Sequence, residues 1–178
     1  YSEGQPILWW TPDPRSILWP NALKVHKSMR SLLNKKPYRV TADRAFDQVL
    51  SSCQQMSRIG QEGTWITEAM QKAYIKLHLD GIAHSIEVWQ DQRLVAGLYG
   101  VSIGKVFFGE SMFTTVSNAS KYGFIHLVRK LKSLQYTLID CQQDTPHLRS
   151  LGATLISRHE FLEHLKKNTL QESEHGSW

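Results

Sequence analysis

"AHSIEVWQDQRLVAGLYGVSIGKVFFGESMF" (residues 83–113) contains three apolar runs rich in β-branched and aromatic residues. The runs are AHSIEVW, LVAGLYGVSIG and KVFFGESMF, and such compositions favour strands. Two short links, QDQR and the pair Gly104–Lys105, separate them. Apolar runs joined by links this short are typical of hairpins, so the stretch predicts three consecutive antiparallel strands.

Helical patterns lie on both sides of these strands. Residues 42–56 and 67–81 carry apolar side chains at helical spacing, and in the second segment Thr67 can cap the start and Gly81 the end. Residues 118–135 predict a long amphipathic helix with a basic outer face. The remaining predicted elements are a strand from 138, a short helix at 145–152, a strand at 153–158 and a helix at 159–168.

The two ends of the chain show no long regular pattern. Residues 1–20 contain too many prolines for one helix and predict short extended pieces and turns. Residues 172–178 are predicted to fray. The whole order predicts an α+β domain whose central, mostly antiparallel sheet is flanked by helices, and it resembles the N-acetyltransferase-like (GNAT) fold.

Composition narrows the class of protein. The chain has 178 residues and a net charge of +5, and its length predicts one globular domain. Its two cysteines lie far apart, which predicts reduced thiols in the cytoplasm. No apolar run approaches a membrane span of about 18 residues. Between Asp13 and Asp43 the chain has no acidic residue but many basic ones. This basic stretch predicts an anionic partner such as nucleic acid, with an ordinary solvated surface as the alternative.

A candidate polar site lies in "LIDCQQDTPHLRSLGA", residues 138–153. Side chains alternate along a strand, so Leu138, Asp140 and Gln142 share one face while Cys141 points to the other. A carboxylate and an amide side by side indicate a polar site at the end of the strand. The alternative is a strand end that reaches solvent. We interpret Cys141 as core packing.

A second candidate is Glu110, which lies in an apolar strand just after Gly109. A buried carboxylate must be paired, hydrogen-bonded or functional, because burying it alone is costly. We therefore expect a functional or network role. The alternative is a bulge at Gly109 that lets Glu110 reach water.

Other chemistries fit the sequence poorly. The histidine spacings do not match a metal motif, and Ser111 does not lie in a G-x-S-x-G elbow. A CoA-dependent acyltransferase of the same fold needs a glycine-rich phosphate loop at a helix start. Residues 114–123, "TTVSNASKYG", lack clustered glycines, so that reading is the weaker one.

Seven motifs in order resemble those of the leucyl/phenylalanyl-tRNA–protein transferase family. They are "ILWWTPDPR", "EGTWIT", "AYIKLHLDGIAHSIEVW", "LYGV", "FFGESMF", "NASK" and "LIDCQ…HLRSLGA". The resemblance implies transfer of Leu or Phe, and less readily Met, from aminoacyl-tRNA to the N-terminal Arg or Lys of a protein, which marks it for N-end rule degradation. It also implies a GNAT-like domain with no metal or redox cofactor.

The resemblance assigns roles to single residues. It makes Asp140 and Gln142 the catalytic pair, with Asp140 as a proton acceptor or only as an orienter of Gln142, and it makes Glu110 a supporting residue. The residues it gives to the substrate are Trp65 and Tyr74 at the tRNA 3′ end, with stacking on adenine natural for Trp65, and Leu98 and Phe107 around the amino-acid side chain. The basic residues it gives to the tRNA backbone are Lys27, Arg30, Lys35 and Lys36.

The family normally carries some tens of residues before "YSEGQPILWW", so we expect that part of an N-terminal segment is missing. Residues 1–15 are predicted to be the remnant of a small N-terminal domain, and residues 16–178 the catalytic domain. We expect a monomer without membrane contact. An inactive RNA-binding module is the alternative that a truly short N-terminus would favour.

Overall fold

The computed structural model describes residues 11–56, 65–174, 176 and 178. The α-helices of these residues are α1 (Lys27–Lys35), α2 (Phe46–Gln55), α3 (Glu68–Leu79), α4 (Ala119–Ser133), α5 (Pro146–Ser150) and α6 (Arg158–Asn168). The strands are β1 (Arg15–Leu18), β2 (Arg39–Ala42), β3 (Ala83–Gln90), β4 (Arg93–Ile103), β5 (Val106–Thr114), β6 (Leu138–Gln142) and β7 (Thr154–Ile156). Within the described residues, no helix has the length and apolar character needed to cross a membrane.

The strands form one seven-stranded sheet in the order β2–β3–β4–β5–β6–β1–β7. Neighbouring strands are antiparallel except β5 and β6, which run parallel. That parallel pairing covers only Val106–Phe108 opposite Leu138–Asp140. Beyond it the two strands separate, and the sheet opens between them. The α+β class, the antiparallel hairpins and the predicted order of elements after β2 are confirmed.

Helices pack on both faces of the sheet. Helices α1 and α4 contribute to one buried cluster, α2 and α3 to a second, and α6 to a third. Gly123 lets α4 approach β3 closely, since a Cβ there would lie 2.7 Å from Cγ2 of Val88. Nine of the fifteen α4 residues are buried, so the exposed basic strip, which includes Arg129 and Lys132, is narrower than predicted.

The helix predicted for residues 42–56 begins later than expected. Ala42 ends β2, and Asp43 has a φ of 56°, so α2 starts at Phe46. The carboxylate of Asp43 accepts hydrogen bonds from the backbone N–H of Ser85 at 2.8 Å and from Nδ1 of His84 at 2.9 Å. These bonds hold the turn against β3. They depend on residues about forty positions away, which local spacing does not reveal.

The tail does not fray where it is described. Oγ of Ser173 accepts a hydrogen bond from the backbone N–H of Gly104 at 2.7 Å. Glu174 forms a 2.9 Å ion pair with Lys105. The ring of Trp178 stacks on the ring of His84 in β3. The prediction for residues 172–178 was therefore wrong at these positions. Residues 1–10 lie outside the described part, so their extended conformation and the division between residues 15 and 16 stay predictions.

Candidate active site

The separation of β5 from β6 opens a cleft of about 930 Å³ in the sheet. A volume of this size lies within the usual range for small-molecule sites, roughly 300–1,000 Å³. Aromatic residues of the α3 side line one part of the cleft, and apolar residues of the α4 side line another. Asp140, Gln142 and Glu110 all line it as well. The polar residues singled out in the sequence therefore meet at one opening.

Asp140 is held by an ion pair that sequence reasoning missed. Nε of Arg15 donates to Oδ1 of Asp140 at 2.9 Å, and Nη2 donates to Oδ2 at 2.6 Å. The Asp140 side chain is 0% exposed and that of Arg15 11% exposed. Oδ1 also accepts the backbone N–H of Gln142 at 2.9 Å. Both oxygens of this carboxylate are engaged, and such bidentate geometry fixes its orientation.

Arg15 reaches Asp140 because β1 pairs antiparallel with β6, Ile17 lying opposite Asp140. Its guanidinium carbon lies 5.0 Å from the ring centroid of Phe161, which adds a cation–π contact. Arg15 stands in the sequence at the end of the "PDPR" motif. The motif does not identify Arg15 as the partner of Asp140 unless the pairing of β1 with β6 is known.

Gln142 departs from the predicted strand alternation. Its φ of 61° ends the extended conformation of β6. Its Nε2 donates to the carbonyl oxygen of Gly109 at 2.8 Å, and its side chain is also hydrogen-bonded to Glu110. The amide nitrogen is thus anchored to β5, which leaves the amide oxygen Oε1 as the atom that can accept a hydrogen bond from a ligand.

Glu110 enters the cleft through a β-bulge. In the β4–β5 register Tyr99 lies opposite Ser111 but Gly100 lies opposite Gly109, so Glu110 is the extra residue. Bulges commonly redirect side chains next to active sites. The bulge alternative was therefore right about the backbone, but the side chain is half-buried in the cleft and does not simply reach solvent.

The environment of the Glu110 carboxyl raises its pKa above the ordinary value of 4.5. Burial is the main cause, and the negative charge of Asp140 adds to it. Hydrogen bonds from Tyr74 and Gln142 and the charge of Arg15 act in the opposite direction. Burial favours the neutral form of a carboxyl group, and here this effect exceeds the opposing ones.

The four predicted substrate residues line the same cleft from two faces of the sheet. On the α3 side, the rings of Trp65 and Tyr74 lie 6.3 Å apart, edge to face, and Tyr74 meets Tyr99 in the same way at 5.1 Å. On the α4 side, Leu98 and Phe107 are 4% and 1% exposed. We call this second region, defined by Leu98 and Phe107, the donor pocket.

Cys141 lines the cleft but is a poor nucleophile. Burial, with a further contribution from the charge of Asp140, raises the pKa of its thiol to about 12. The reactive thiolate is therefore scarce at neutral pH. Cys141 packs against the α4-side cluster, as interpreted from the sequence.

The predicted tRNA-contacting residues form one exposed surface, which we call the basic helix surface. Its members are Lys27, Arg30 and Lys35 on α1, and Lys36 directly after it. The residues before α1 contact the segment that follows Gln142: Nε2 of His26 lies 2.9 Å from the carbonyl oxygen of Ser150, and the backbone N–H of Lys24 donates to that of Leu151 at 2.9 Å. One side-chain contact and one backbone hydrogen bond thus link the residues that precede this surface to the end of α5.

Among solved structures, a functionally unknown conserved protein from Staphylococcus epidermidis resembles the chain with a TM-score of 0.52. Its sequence identity is 12%, and the match covers 81% of this chain and 57% of that one. At this identity the likeness concerns the fold alone.

Sequence comparison is far more specific. A protein from Pseudomonas fluorescens (strain Pf0-1) named leucyl/phenylalanyl-tRNA–protein transferase is 53% identical over 178 residues, which is 100% of this chain and 78% of the relative. The protein of the same name from Syntrophus aciditrophicus (strain SB) is 52% identical over 178 residues, 100% of this chain and 74% of its own. The family model described as leucyl/phenylalanyl-tRNA protein transferase matches residues 17–166. The chain therefore belongs to the leucyl/phenylalanyl-tRNA protein transferase family.

Proposed function

We propose that this protein is an aminoacyltransferase that moves Leu or Phe, and less readily Met, from aminoacyl-tRNA to the N-terminal Arg or Lys of a protein, so that the product enters N-end rule degradation. The observation that carries the proposal is the cleft. In it, an amide anchored through its nitrogen lies beside a fixed carboxylate, with an apolar pocket and an aromatic pair in the same opening.

The reaction needs little covalent help. The α-amine of the acceptor attacks the ester carbonyl of the aminoacyl-tRNA, so a C–N bond forms and the C–O bond to the terminal ribose breaks. The amine loses a proton and the ribose hydroxyl gains one. An N-terminal amine has a pKa of about 7.7–8.0, so a useful fraction is already neutral near pH 7. Holding amine and ester together is the main task, and orientation alone can contribute several kcal/mol.

Gln142 is the residue that meets the attacking amine. Its Nε2 is occupied by Gly109 and its side chain by Glu110, so Oε1 is the acceptor for an amine N–H. An amide oxygen aimed in this way aligns the nitrogen lone pair with the carbonyl carbon. It does not itself remove the proton.

Asp140 acts as an orienter and not as the proton acceptor. Its two oxygens accept three hydrogen bonds, two of them from Arg15, and its side chain is fully buried. Both oxygens already accept hydrogen bonds from protein donors, so the carboxylate is directed at its neighbours and not at the amine. It holds the backbone of Gln142 in place. The proton then leaves through the ribose hydroxyl of the tRNA or through water.

The remaining predicted residues receive the donor. The indole of Trp65 and the ring of Tyr74 form a surface on which the terminal adenine can stack, as unpaired bases do on aromatic side chains. Leu98 and Phe107 form the donor pocket for the Leu or Phe side chain. Glu110 holds Tyr74 and Gln142 in their relative positions by hydrogen bonds.

The basic helix surface contacts the tRNA backbone. Its cations are exposed, while Met29 and Leu33 on the opposite side of α1 are buried in the core. Phosphate contacts of this kind place the tRNA without reading its sequence. Discrimination then comes from the donor pocket and the 3′ adenosine. The rival surface is the exposed strip of α4 that includes Arg129 and Lys132.

The direct test is incubation of the protein with Phe-tRNA and a peptide that starts with Arg. We expect the peptide to gain the mass of one Phe residue, and no gain when the peptide starts with Ala. Gln142→Ala should lower the rate at least tenfold, because misplacement of the reacting groups can cost on the order of 100-fold. Gln92→Ala removes an exposed amide outside the cleft and serves as the matched control. Transfer that is absent from wild type, or unchanged in Gln142→Ala, contradicts the proposal.

A further inference from the structure

The wall of the donor pocket has two close neighbours. Phe107 is 1% exposed and lines the cleft. A Cβ at Gly100 would lie 2.5 Å from Cζ of Phe107, so the ring lies directly against the β4 backbone. The ring of Trp178 is the other neighbour, with its centroid 5.7 Å from that of Phe107 and the planes inclined by 37°. These two contacts limit where the Phe107 ring can move.

Trp178 is itself firmly anchored. Its ring stacks on His84 with the centroids 4.0 Å apart and the planes 8° from parallel. Its backbone N–H donates to Oδ2 of Asp43 at 2.8 Å, and Nζ of Lys130 lies 5.6 Å from its ring centroid. Asp43 and His84 are almost fully buried and bonded to each other. A stacked ring with a backbone bond to a fixed carboxylate provides a rigid support.

We propose that Trp178 is a positioning residue that sets the shape of the donor pocket by fixing the ring of Phe107. The inference rests on the proposed function, and it assigns a role in amino-acid selection to a residue remote in sequence from the site. A pocket rejects a slightly wider side chain only if its wall cannot move. One methyl group is then worth roughly 10–200-fold in discrimination.

Removal of the Trp178 ring has a specific consequence. Interiors are close-packed, so the vacated space lets neighbouring side chains relax into it. Phe107 can then shift away from the cleft, and the donor pocket widens. An amino-acid side chain branched at Cβ then fits the pocket better and is transferred faster. Leu and Phe fit the unwidened pocket already, so their transfer does not improve. A purely structural role would instead lower transfer from every donor by the same factor.

The test compares kcat/KM for Leu-tRNA and Ile-tRNA in wild type and in Trp178→Ala. We expect the Leu-over-Ile preference to fall by about threefold or more, and Trp178→Phe to restore most of it. Glu174→Gln is the matched control, because Glu174 ties the same tail to Lys105 outside the cleft. It should leave the preference unchanged. If Trp178→Ala does not fold, Trp178→Leu removes the ring and keeps an apolar side chain. An unchanged preference in a folded variant overturns the proposal.

A second measurement separates this inference from the proposed function. Calorimetry gives the affinities of two amide-linked aminoacyl-adenosine analogues, one carrying Leu and one carrying Ile. If wild type transfers no amino acid but Trp178→Ala still narrows the ratio of the two affinities, the proposed function fails and the role of Trp178 stands. If wild type binds neither analogue, the donor pocket does not exist and the inference fails.

Discussion

Arg15→Met tests whether Asp140 depends on its ion pair. The change removes two hydrogen bonds, of 2.9 and 2.6 Å, and leaves a carboxylate of 0% exposure without its cation. Loss of one partner of a buried pair typically costs about 3–5 kcal/mol in the free energy of unfolding. We expect about 3 kcal/mol, because Oδ1 keeps the N–H of Gln142. For a chain of this size the melting temperature should fall by about 6–12 °C.

Asp140→Asn completes a double-mutant cycle with Arg15→Met. The asparagine keeps an oxygen for the Gln142 N–H but carries no charge, so the double variant has no buried ion to compensate. It should be more stable than Arg15→Met alone, with a coupling free energy of at least about 2 kcal/mol. Urea unfolding of the four proteins measures this coupling. Additive costs of the two substitutions would refute the ion-pair argument.

Turnover in the same four proteins tests the role of Asp140. If the carboxylate only orients Gln142, the double variant should recover part of the transfer that Arg15→Met loses, because its asparagine still accepts the Gln142 N–H. If Asp140 accepts the proton, Asp140→Asn abolishes the proton transfer both in the single variant and in the double variant. A double variant no faster than Arg15→Met, assayed where all four are folded, would refute the orienting role.

Three further expectations follow from the surroundings of other side chains. The raised pKa of Glu110 favours the folded state at low pH, and this contribution is lost as the pH rises through the folded value. Glu110→Gln should therefore gain stability relative to wild type as the pH rises above 4.5, measured by thermal melts. Lys35→Ala with Lys36→Ala should weaken binding of full-length Phe-tRNA and reduce the salt slope, by roughly one unit or less per lysine, while aminoacyl-adenosine binding barely changes. The thiol of Cys141, with its pKa of about 12, should resist alkylation at pH 8 in the folded protein and react after unfolding, as mass spectrometry can show.

Each of these expectations has a contrary result. If Glu110→Gln changes the melting temperature by the same amount at every pH, burial does not disfavour the charged form of the Glu110 carboxyl. Lys166→Ala with Lys167→Ala removes the same charge from α6, so an equal loss of tRNA affinity there would show that only net charge matters. Rapid alkylation of Cys141 in the folded protein would contradict the raised pKa of its thiol.

Local sequence patterns predicted the part of the fold that depends on neighbouring residues. The β3–β4–β5 meander follows from apolar runs and short links, and Thr67 caps α3 as expected, its hydroxyl accepting the N–H of Met70 at 3.3 Å. Strand alternation marked Asp140 and Gln142 as a polar pair, although Gln142 leaves the extended conformation with a φ of 61°. These signals need no knowledge of distant contacts.

The missed features depend on pairing between distant segments. Arg15 meets Asp140 across 125 positions, and neither residue alone indicates the other. The bulge that directs Glu110 into the cleft exists only in the register of β4 against β5. Trp178 was assigned to a frayed end because a short polar tail gives no sign of its partner, His84. A contact between distant segments becomes visible only when the topology is known.

The parallel pairing of β5 with β6 ends at Phe108, and one residue later the side chain of Gln142 donates a hydrogen bond to the carbonyl oxygen of Gly109. One amide thus bonds to β5 through its nitrogen, and in the proposed reaction its oxygen accepts a hydrogen bond from the substrate. A glutamate at this position would set a carboxylate against that carbonyl and against Glu110, so the isosteric acid would repel both neighbours. The identity of residue 142 is therefore constrained by the backbone of the sheet and, in the proposed reaction, by its contact with the amine.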